Sequence, residues 1–398
     1  MENNQNQQHL HQQHSSNAAE KNWYDKSYKW TLIIPAILLL FSVIYLVNFY
    51  NQNHDIIYKD VTLTGGTTVT IFDPSVNLDK LEADLKTQFP DLISRSISDI
   101  RTGKQEGFFV ETKAEPEVIK SALEKYLNYK LTSDNSSIEF SGASLSSGFY
   151  QQLRNGILGA FLLMGWVVFF IFAESRKIKG ISTILSFLGF SILLPGISTI
   201  STLSFTGIVA GLIYGLTNKK KSKNDYLLLG ITEILALIIF FLYPVVWIVA
   251  PIGIILIVLY IIYSIPSFAV ILCAFADIIM TITMVNLLHI QLSTAGIVAF
   301  LMLIGYSVDT DILLTTRLLK DKEGHVNKRI FGAFKTGMTM TLAAIASVVV
   351  SLIIIFNFSD ALRQIFSIIL IGLLFDIINT WVTNSSILKW YMEVKHIE

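Results

Sequence analysis

The sequence predicts a multi-pass α-helical membrane protein that carries one small α+β domain, and three observations predict it. Hydrophobic residues make up 52% of the 398, charged residues only 15%, and the mean hydropathy is +0.56, a composition that excludes an ordinary soluble domain. Apolar runs of about 20 residues, long enough to span a hydrocarbon core as helices, recur along the chain. Between the first two of them lies a stretch, 51–150, whose pattern is that of a soluble domain. The formal net charge is zero, from 30 basic and 30 acidic residues, which argues against a nucleic-acid binder. The single cysteine, Cys273, cannot form an internal disulfide.

Residues 1–22 are rich in Gln, Asn and His with almost nothing apolar to bury, and read as a disordered polar tail. The spacing of His9, His11 and His14 fits no regular metal site. The first transmembrane helix falls within 23–50; its leader is too long and polar for a signal peptide and no cleavage site follows, so it should stay as an anchor. In 51–150, TTVTIF (67–72) alternates as a strand and LDKLEADLKTQF (78–89) places Leu78, Leu81, Leu85 and Phe89 on one helical face. Strand-like 92–100, a turn at GKQEG, strand-like 108–112, a proline-opened helix at 116–127 and strand-like 137–140 complete a βαββαβ order, the ferredoxin-like split arrangement. Apolar runs resume at 156–173, 182–216, 226–263, 265–288, 292–315, 337–357 and 363–388. The runs 182–216 and 226–263 are each too long for one span and are broken at Pro195-Gly196 and at Pro244 or Pro251, so each reads as a hairpin. The expected total is about ten spans. Basic clusters at Arg176-Lys177-Lys179, at KKKSK (219–223) and from Arg317 to Lys335 fall on one side if both termini are cytoplasmic, which leaves 51–150 outside the cell membrane.

A single anchor, a small outer domain opening with DVTLTGGTTV (60–69), and a helix reading GYSVDTDILLTTR together resemble the SecF subunit of the Sec protein-export machinery, in its archaeal form. Asp60, Gly65, Gly66 and Thr67 carry the signature of the outer domain. The resemblance covers residues 23 to about 173 and 264 to 398, and implies a six-helix bundle of the resistance-nodulation plan. Residues 174–264 depart from it: two extra hairpins stand where the family has a short cytoplasmic turn, before the C-terminal four-helix part, 265–398. The resemblance implies an accessory role in protein translocation, with SecD and the SecY translocon as partners and exported polypeptides as clients, within the lipid of the cell membrane. It also implies that a proton-motive or sodium gradient does the pulling.

Acids inside the membrane segments are the candidate machinery. A carboxylate at the centre of a spanning helix costs roughly 2.5 to 3.5 kcal/mol on insertion scales, so it is expected to face protein or a wet path. Residues two apart on an α-helix point about 200° from each other, so Asp309 and Asp311 cannot form a dyad on one face. Asp277 with Thr281, and Asp376 with Thr380 and Asn384, form polar stripes on two other helices. Lys335 stands where the resemblance places an arginine that works with the aspartates. The expected relay set is therefore Asp309, Asp311, Lys335, Asp277 and Asp376. Glu233 reads as an acid at a membrane edge and Arg317 as a cytoplasmic anchor. No HExxH, GxSxG or P-loop phrase occurs, so neither an enzyme nor a cofactor is expected. The contexts of Asp277 (FADII) and Asp309 (YSVDTD) do not match those of an intramembrane aspartyl protease. The rival reading is a half-size exporter of small molecules or lipids with the same bundle plan.

Overall fold

The structure, a computed structural model, describes residues 23–98, 102, 104–194, 198–216, 230–236, 249–320, 325–355 and 360–396. The polar tail 1–22, the break at Pro195-Gly196, the KKKSK cluster and Pro244 lie outside the described residues.

The chain enters through α1 (Trp23–Thr31) and the long apolar α2 (Ile33–Asn53). After the one-turn α3 (Val61–Thr64) come β1 (Gly66–Ile71), α4 (Leu78–Leu85), β2 (Ile93–Ser98), β3 (Gln105–Thr112), α5 (Pro116–Leu127) and β4 (Ser136–Ser141). The strands form one sheet in the order β2-β3-β1-β4 with every neighbouring pair antiparallel. The inward residues of β1, Val69 and Ile71, meet Phe108 and Val110 of β3 and the apolar faces of α4 (Leu81, Leu85) and α5 (Ile119, Leu123). The alternation seen in the sequence is thus what separates core from solvent here. The helix starts are equally local in origin: the Asn77 side chain accepts from Lys80 N at 3.2 Å, and Pro116 occupies the first turn of α5. The turn expected at GKQEG is shorter than its sequence suggests, because Gln105 pairs with Ser98 and Gly107 with Ile97, drawing both into β3.

The apolar part follows as α6 (Ala143–Phe172), α7 (Arg176–Leu193), α8 (Ser198–Leu216), helical residues 230–236, α9 (Val249–Tyr263), α10 (Ile265–Leu287), α11 (Thr294–Lys320), α12 (Val326–Ile355) and α13 (Asp360–Ile378). A π-helical segment, Asn379–Asn384, joins α13 to α14 (Ser385–Lys395). Among the described residues six helices are long and apolar enough to cross a membrane: Ser27–Asn53, Leu145–Phe172, Ile265–Leu287, Thr294–Lys320, Val326–Ile355 and Ala361–Lys395. Ten were expected, and the difference lies in the insertion. There α7 starts with Arg176, Lys177 and Lys179, and the apolar helices Ser201–Tyr214 and Val249–Tyr263 are short. At 1.5 Å per residue each of those two reaches only about 21–23 Å, less than a hydrocarbon core of about 30 Å.

Three apolar cores divide the helices, the smallest around Leu314, Leu318, Ile330, Leu388 and Met392. Val270, Ile278, Phe300, Leu303, Ile368 and Leu373 centre the largest, built mainly from α10, α11 and α13. A second, around Phe169, Ile184, Leu188, Ile208, Leu256 and Tyr260, packs the insertion onto one side of α6. The largest core therefore closes without the insertion, and it holds the acids.

Candidate ion-relay site

Three carboxylates meet in the bundle, one from each of three helices: Asp277 on α10, Asp311 on α11 and Asp376 on α13. Each is fully buried. Helix periodicity explains the selection on α11. Asp311 lies on the inward face with Ser307, whereas Asp309 is exposed on the far side, as the rotation of about 200° between them requires.

The acids are held by neutral donors. Asp277 accepts from Ser307 Oγ at 2.5 Å and from Asn379 Nδ2 at 2.6 Å, while Thr281 Oγ1, one turn on, donates to the Asp277 main-chain oxygen at 2.6 Å. Asp311 Oδ1 accepts from Asn384 Nδ2 at 2.7 Å and from Thr380 Oγ1 at 2.9 Å. The Asp376 oxygens lie 3.3 Å from Thr310 Oγ1, and its Oδ1 lies 3.1 Å from Thr380 Oγ1. Among the described residues none of the three is in an ion pair.

Thr380 therefore sits between two acids with a single hydrogen to give. It can donate to Asp311 while accepting from a protonated Asp376, or the reverse. A proton placed on either acid has a two-bond path to the other through this hydroxyl. Asp311 Oδ2 and Asn384 Oδ1 are buried without a partner in the described structure, so the site has acceptor capacity to spare for a proton or another small cation.

The π-helical segment makes the arrangement possible. On an α-helix Asn379 and Asn384, five apart, would point about 140° from each other. The wider turn, with bonding to the fifth residue, brings five-apart residues onto one face. Asn379 thus reaches Asp277 while Asn384 reaches Asp311.

The family whose model matches this chain is described as "Protein export membrane protein SecD/SecF, C-terminal", and the match runs over residues 240–394, which include all three acids. Over these residues the chain is similar to the SecD/SecF family. The chain is similar to the protein-export membrane protein SecF of Methanothermobacter thermautotrophicus, 52% identical over 134 residues, 33% of this chain and 47% of that one. It is similar also to SecF of Methanocaldococcus jannaschii, 46% identical over 141 residues, 35% of this chain and 50% of that one. The aligned part thus spans about half the length of the curated relatives it matches. Among solved structures, SecDF of Thermus thermophilus, titled a translocon-associated membrane protein, overlays on 92% of this chain and 38% of its own with a TM-score of 0.51. At 13% identity that likeness shows the fold alone.

Within this bundle the structure separates the expected relay residues into two groups. Asp277, Asp311 and Asp376 come together, whereas Asp309 and Lys335 are exposed and join none of them. Lys335 sits near the start of α12, a helix that leaves most of its surface outward, and its carbonyl accepts from Thr339 Oγ1 at 2.7 Å. Arg317, in the last turn of α11, donates to Gly332 O at 3.3 Å. Cys273 is buried, with its Sγ 3.5 Å from Asn379 O. Glu233, far along the sequence from the acid cluster in the insertion, is buried, and its Oε2 has no partner among the described residues.

The residues expected as a signature, Asp60, Gly65, Gly66 and Thr67, have architectural places in the sheet domain. Asp60 caps α3, its carboxylate accepting from Thr62 N at 3.0 Å. Gly65 and Gly66 have φ of +84° and +147°, and a Cβ on them would lie 2.4 Å from Ala143 Cα and from Thr112 O, so side chains are excluded twice over. Thr67 Oγ1 donates to Ala114 O at 2.6 Å. These four residues lock the start of the sheet against the start of α6.

Ser307, Thr310 and Asn379 escaped the sequence reading. Ser307 carries a visible signal, one turn before Asp311. Asn379 carries one as well, three residues after Asp376, which a reading in four-residue steps passes over.

Proposed function

We propose that this chain is a SecF-type accessory subunit of protein export, working with a SecD-like subunit beside a SecY-type translocon. In this reading the four-stranded sheet with its two crossover helices is a ferredoxin-like domain on the outer side of the cell membrane, the termini are cytoplasmic, and the domain engages exported polypeptides. A proton-motive or sodium gradient acts through Asp277, Asp311 and Asp376. The observation that carries the reading is the bridging of two buried acids, Asp311 and Asp376, by the single hydroxyl of Thr380 with no cation among the described residues paired to either. Polar glue between helices could be had from Ser and Thr alone, at lower cost than three carboxylates.

The energetics suffice. One charge moved through 100 mV is worth about 2.3 kcal/mol, enough to bias a two-state repacking by tens of fold. A proton moved between Asp311 and Asp376 reverses the direction of both bonds at Thr380, in the π-helical segment, and changes which helix, α11 or α13, carries the buried charge.

The test is export of a secreted reporter into inverted membrane vesicles that contain the full chain, with and without an uncoupler and a sodium ionophore. Gradient-stimulated export that disappears in Asp311→Asn and Asp376→Asn supports the reading. Stimulation unchanged in both variants ends it. Affinity purification of the tagged chain in mild detergent should recover a SecD-like subunit; recovery of an adaptor-type exporter partner in its place would refute the export assignment.

A further inference from the structure

Several contacts join the helices that carry the acids to the sheet domain, among them Asn286 Nδ2, which donates to Ile56 O at 2.8 Å, and the one from α13 passes through a single side chain. Gln364 lies near the start of α13, about 18 Å along the helix axis from Asp376. Its Oε1 accepts from Ser293 N at 3.0 Å and from Ser293 Oγ, and its Nε2 donates to Gln291 O. Residues 291 and 293 belong to the loop between α10 and α11. Gln364 therefore grips that loop mainly by its main chain, as donor and acceptor at once.

The same loop is the joint to the sheet domain. Leu292 N donates to Tyr58 O at 2.6 Å, and Asp60 N donates to Leu292 O at 3.0 Å, so 58–60 and 292 pair as a short parallel bridge. Arg95 of β2 donates through Nη2 to Gln291 Oε1 at 2.7 Å, and Thr294 N donates to Thr62 Oγ1 at 3.3 Å. Gln291 is held from both sides: its carbonyl by Gln364 in the bundle, its side chain by Arg95 in the sheet.

Between the loop and the acids, α11 and α13 are in close register. A Cβ on Gly296 would lie 2.5 Å from Gln364 Oε1, and a Cβ on Gly372 would lie 2.2 Å from Leu303 Cδ2. Both glycines thus admit a neighbouring side chain into space that any other residue would fill. Packed helices that fit this closely shift as a unit between discrete arrangements rather than deforming.

We infer that Gln364 is a positioning residue that transmits a displacement of α13 at Asp376 to the outer domain, through the 291–293 loop and Arg95. The inference rests on the reading that the acids drive a repacking of the bundle. An axial movement of α13 pulls on both amide bonds of Gln364. The loop follows, and the paired segment 58–60 and β2 follow the loop. Glutamate at this position keeps the acceptor for Ser293 and loses the donor to Gln291; methionine keeps the length and loses both.

The experiment uses the full chain in lipid nanodiscs, with spin labels on Lys104→Cys in the sheet domain and Phe331→Cys on α12, both exposed positions; the native cysteine is buried. The label-to-label distance distribution is compared with and without Asp376→Asn, in the parent, in Gln364→Glu and in Gln364→Met. The expected result is a shift in the parent on Asp376→Asn, an intermediate shift in Gln364→Glu, and less than half of the parental shift in Gln364→Met. A Gln364→Met chain that shows the full parental shift overturns the inference while leaving the bundle reading intact. A parent that shows no shift overturns both. If Gln364→Met does not fold, Gly296→Ala, which displaces Gln364 Oε1, takes its place, and a full shift there overturns the inference equally.

Discussion

Thr380→Val removes one hydroxyl and leaves the shape of the side chain almost unchanged. That hydroxyl lies 2.9 Å from Asp311 Oδ1 and 3.1 Å from Asp376 Oδ1. It carries one hydrogen, so one donated bond is lost, not two. A bond to a charged group is worth about 1.5–3 kcal/mol in soluble proteins, whereas interhelical polar contacts in membranes average about 0.6 and reach about 1.7 kcal/mol. The membrane scale applies here, because Asp311 keeps Asn384, at 2.7 Å, and Asp376 keeps Thr310. The expected loss of stability is thus about 0.6–1.7 kcal/mol, a factor of roughly 3 to 20 in the unfolding equilibrium. Steric-trapping or mild-denaturant unfolding in bilayers measures it. The functional loss should be out of proportion: the two-bond path between the acids is cut, so gradient-stimulated export in vesicles should vanish in Thr380→Val and survive in Thr380→Ser. Stimulated export at the parental level in Thr380→Val would refute the assignment of this hydroxyl as the bridge. A stability loss well above about 3 kcal/mol would show that the acids depend on Thr380 more than the remaining donors allow.

The other outcomes are equally specific. Asp311→Asn should abolish gradient-stimulated export while Asp309→Asn keeps it, because only Asp311 reaches the cluster; the vesicle assay run on both variants decides. Gly372→Ala should destabilise the bundle by about 1–3 kcal/mol through overpacking against Leu303, with part of the loss recovered in the Gly372→Ala, Leu303→Ala double variant, read as thermal midpoints in detergent. In the sheet domain, Ser75 holds Asp73 below its ordinary value of 3.8, and burial followed by the bond to Asp73 pushes Tyr129 up to about 12 from 10.0. The lowered acid contributes stability above its unfolded value that is lost as pH falls below 3.8; the raised phenol contributes stability that is complete below pH 10.0 and lost as pH rises toward 12. Asp73→Asn should therefore bring the Tyr129 titration down toward 10.0, followed by tyrosinate absorbance as the difference from Tyr129→Phe.

Much of the architecture was legible because the forces that set it are local. Apolar runs of spanning length declare themselves, since a helix satisfies its own backbone in lipid whatever surrounds it. Alternation in 67–72 and the 78, 81, 85 spacing reveal the strand and helix faces that now bury Val69, Ile71, Leu81 and Leu85. The runs 182–216 and 226–263, too long for one crossing, led to an expectation of about ten spans, whereas six helices in the described residues meet the length and apolarity of a span.

The sequence by itself determined that Asp309 and Asp311 cannot share a face, because the angle between neighbours on a helix is a property of the backbone. Which of the two turns inward was decided by the tertiary structure, since the rotation of a helix about its own axis is set by what packs against it. The same packing gathers Asp277, Asp311 and Asp376 and leaves Lys335 outside, although all four stand on apolar helices. It also sustains the π turn at 379–384, which no local periodicity announces and which places Asn379 and Asn384 on different acids. A spacing in sequence states which residues can meet along one helix; convergence of three helices needs the whole bundle.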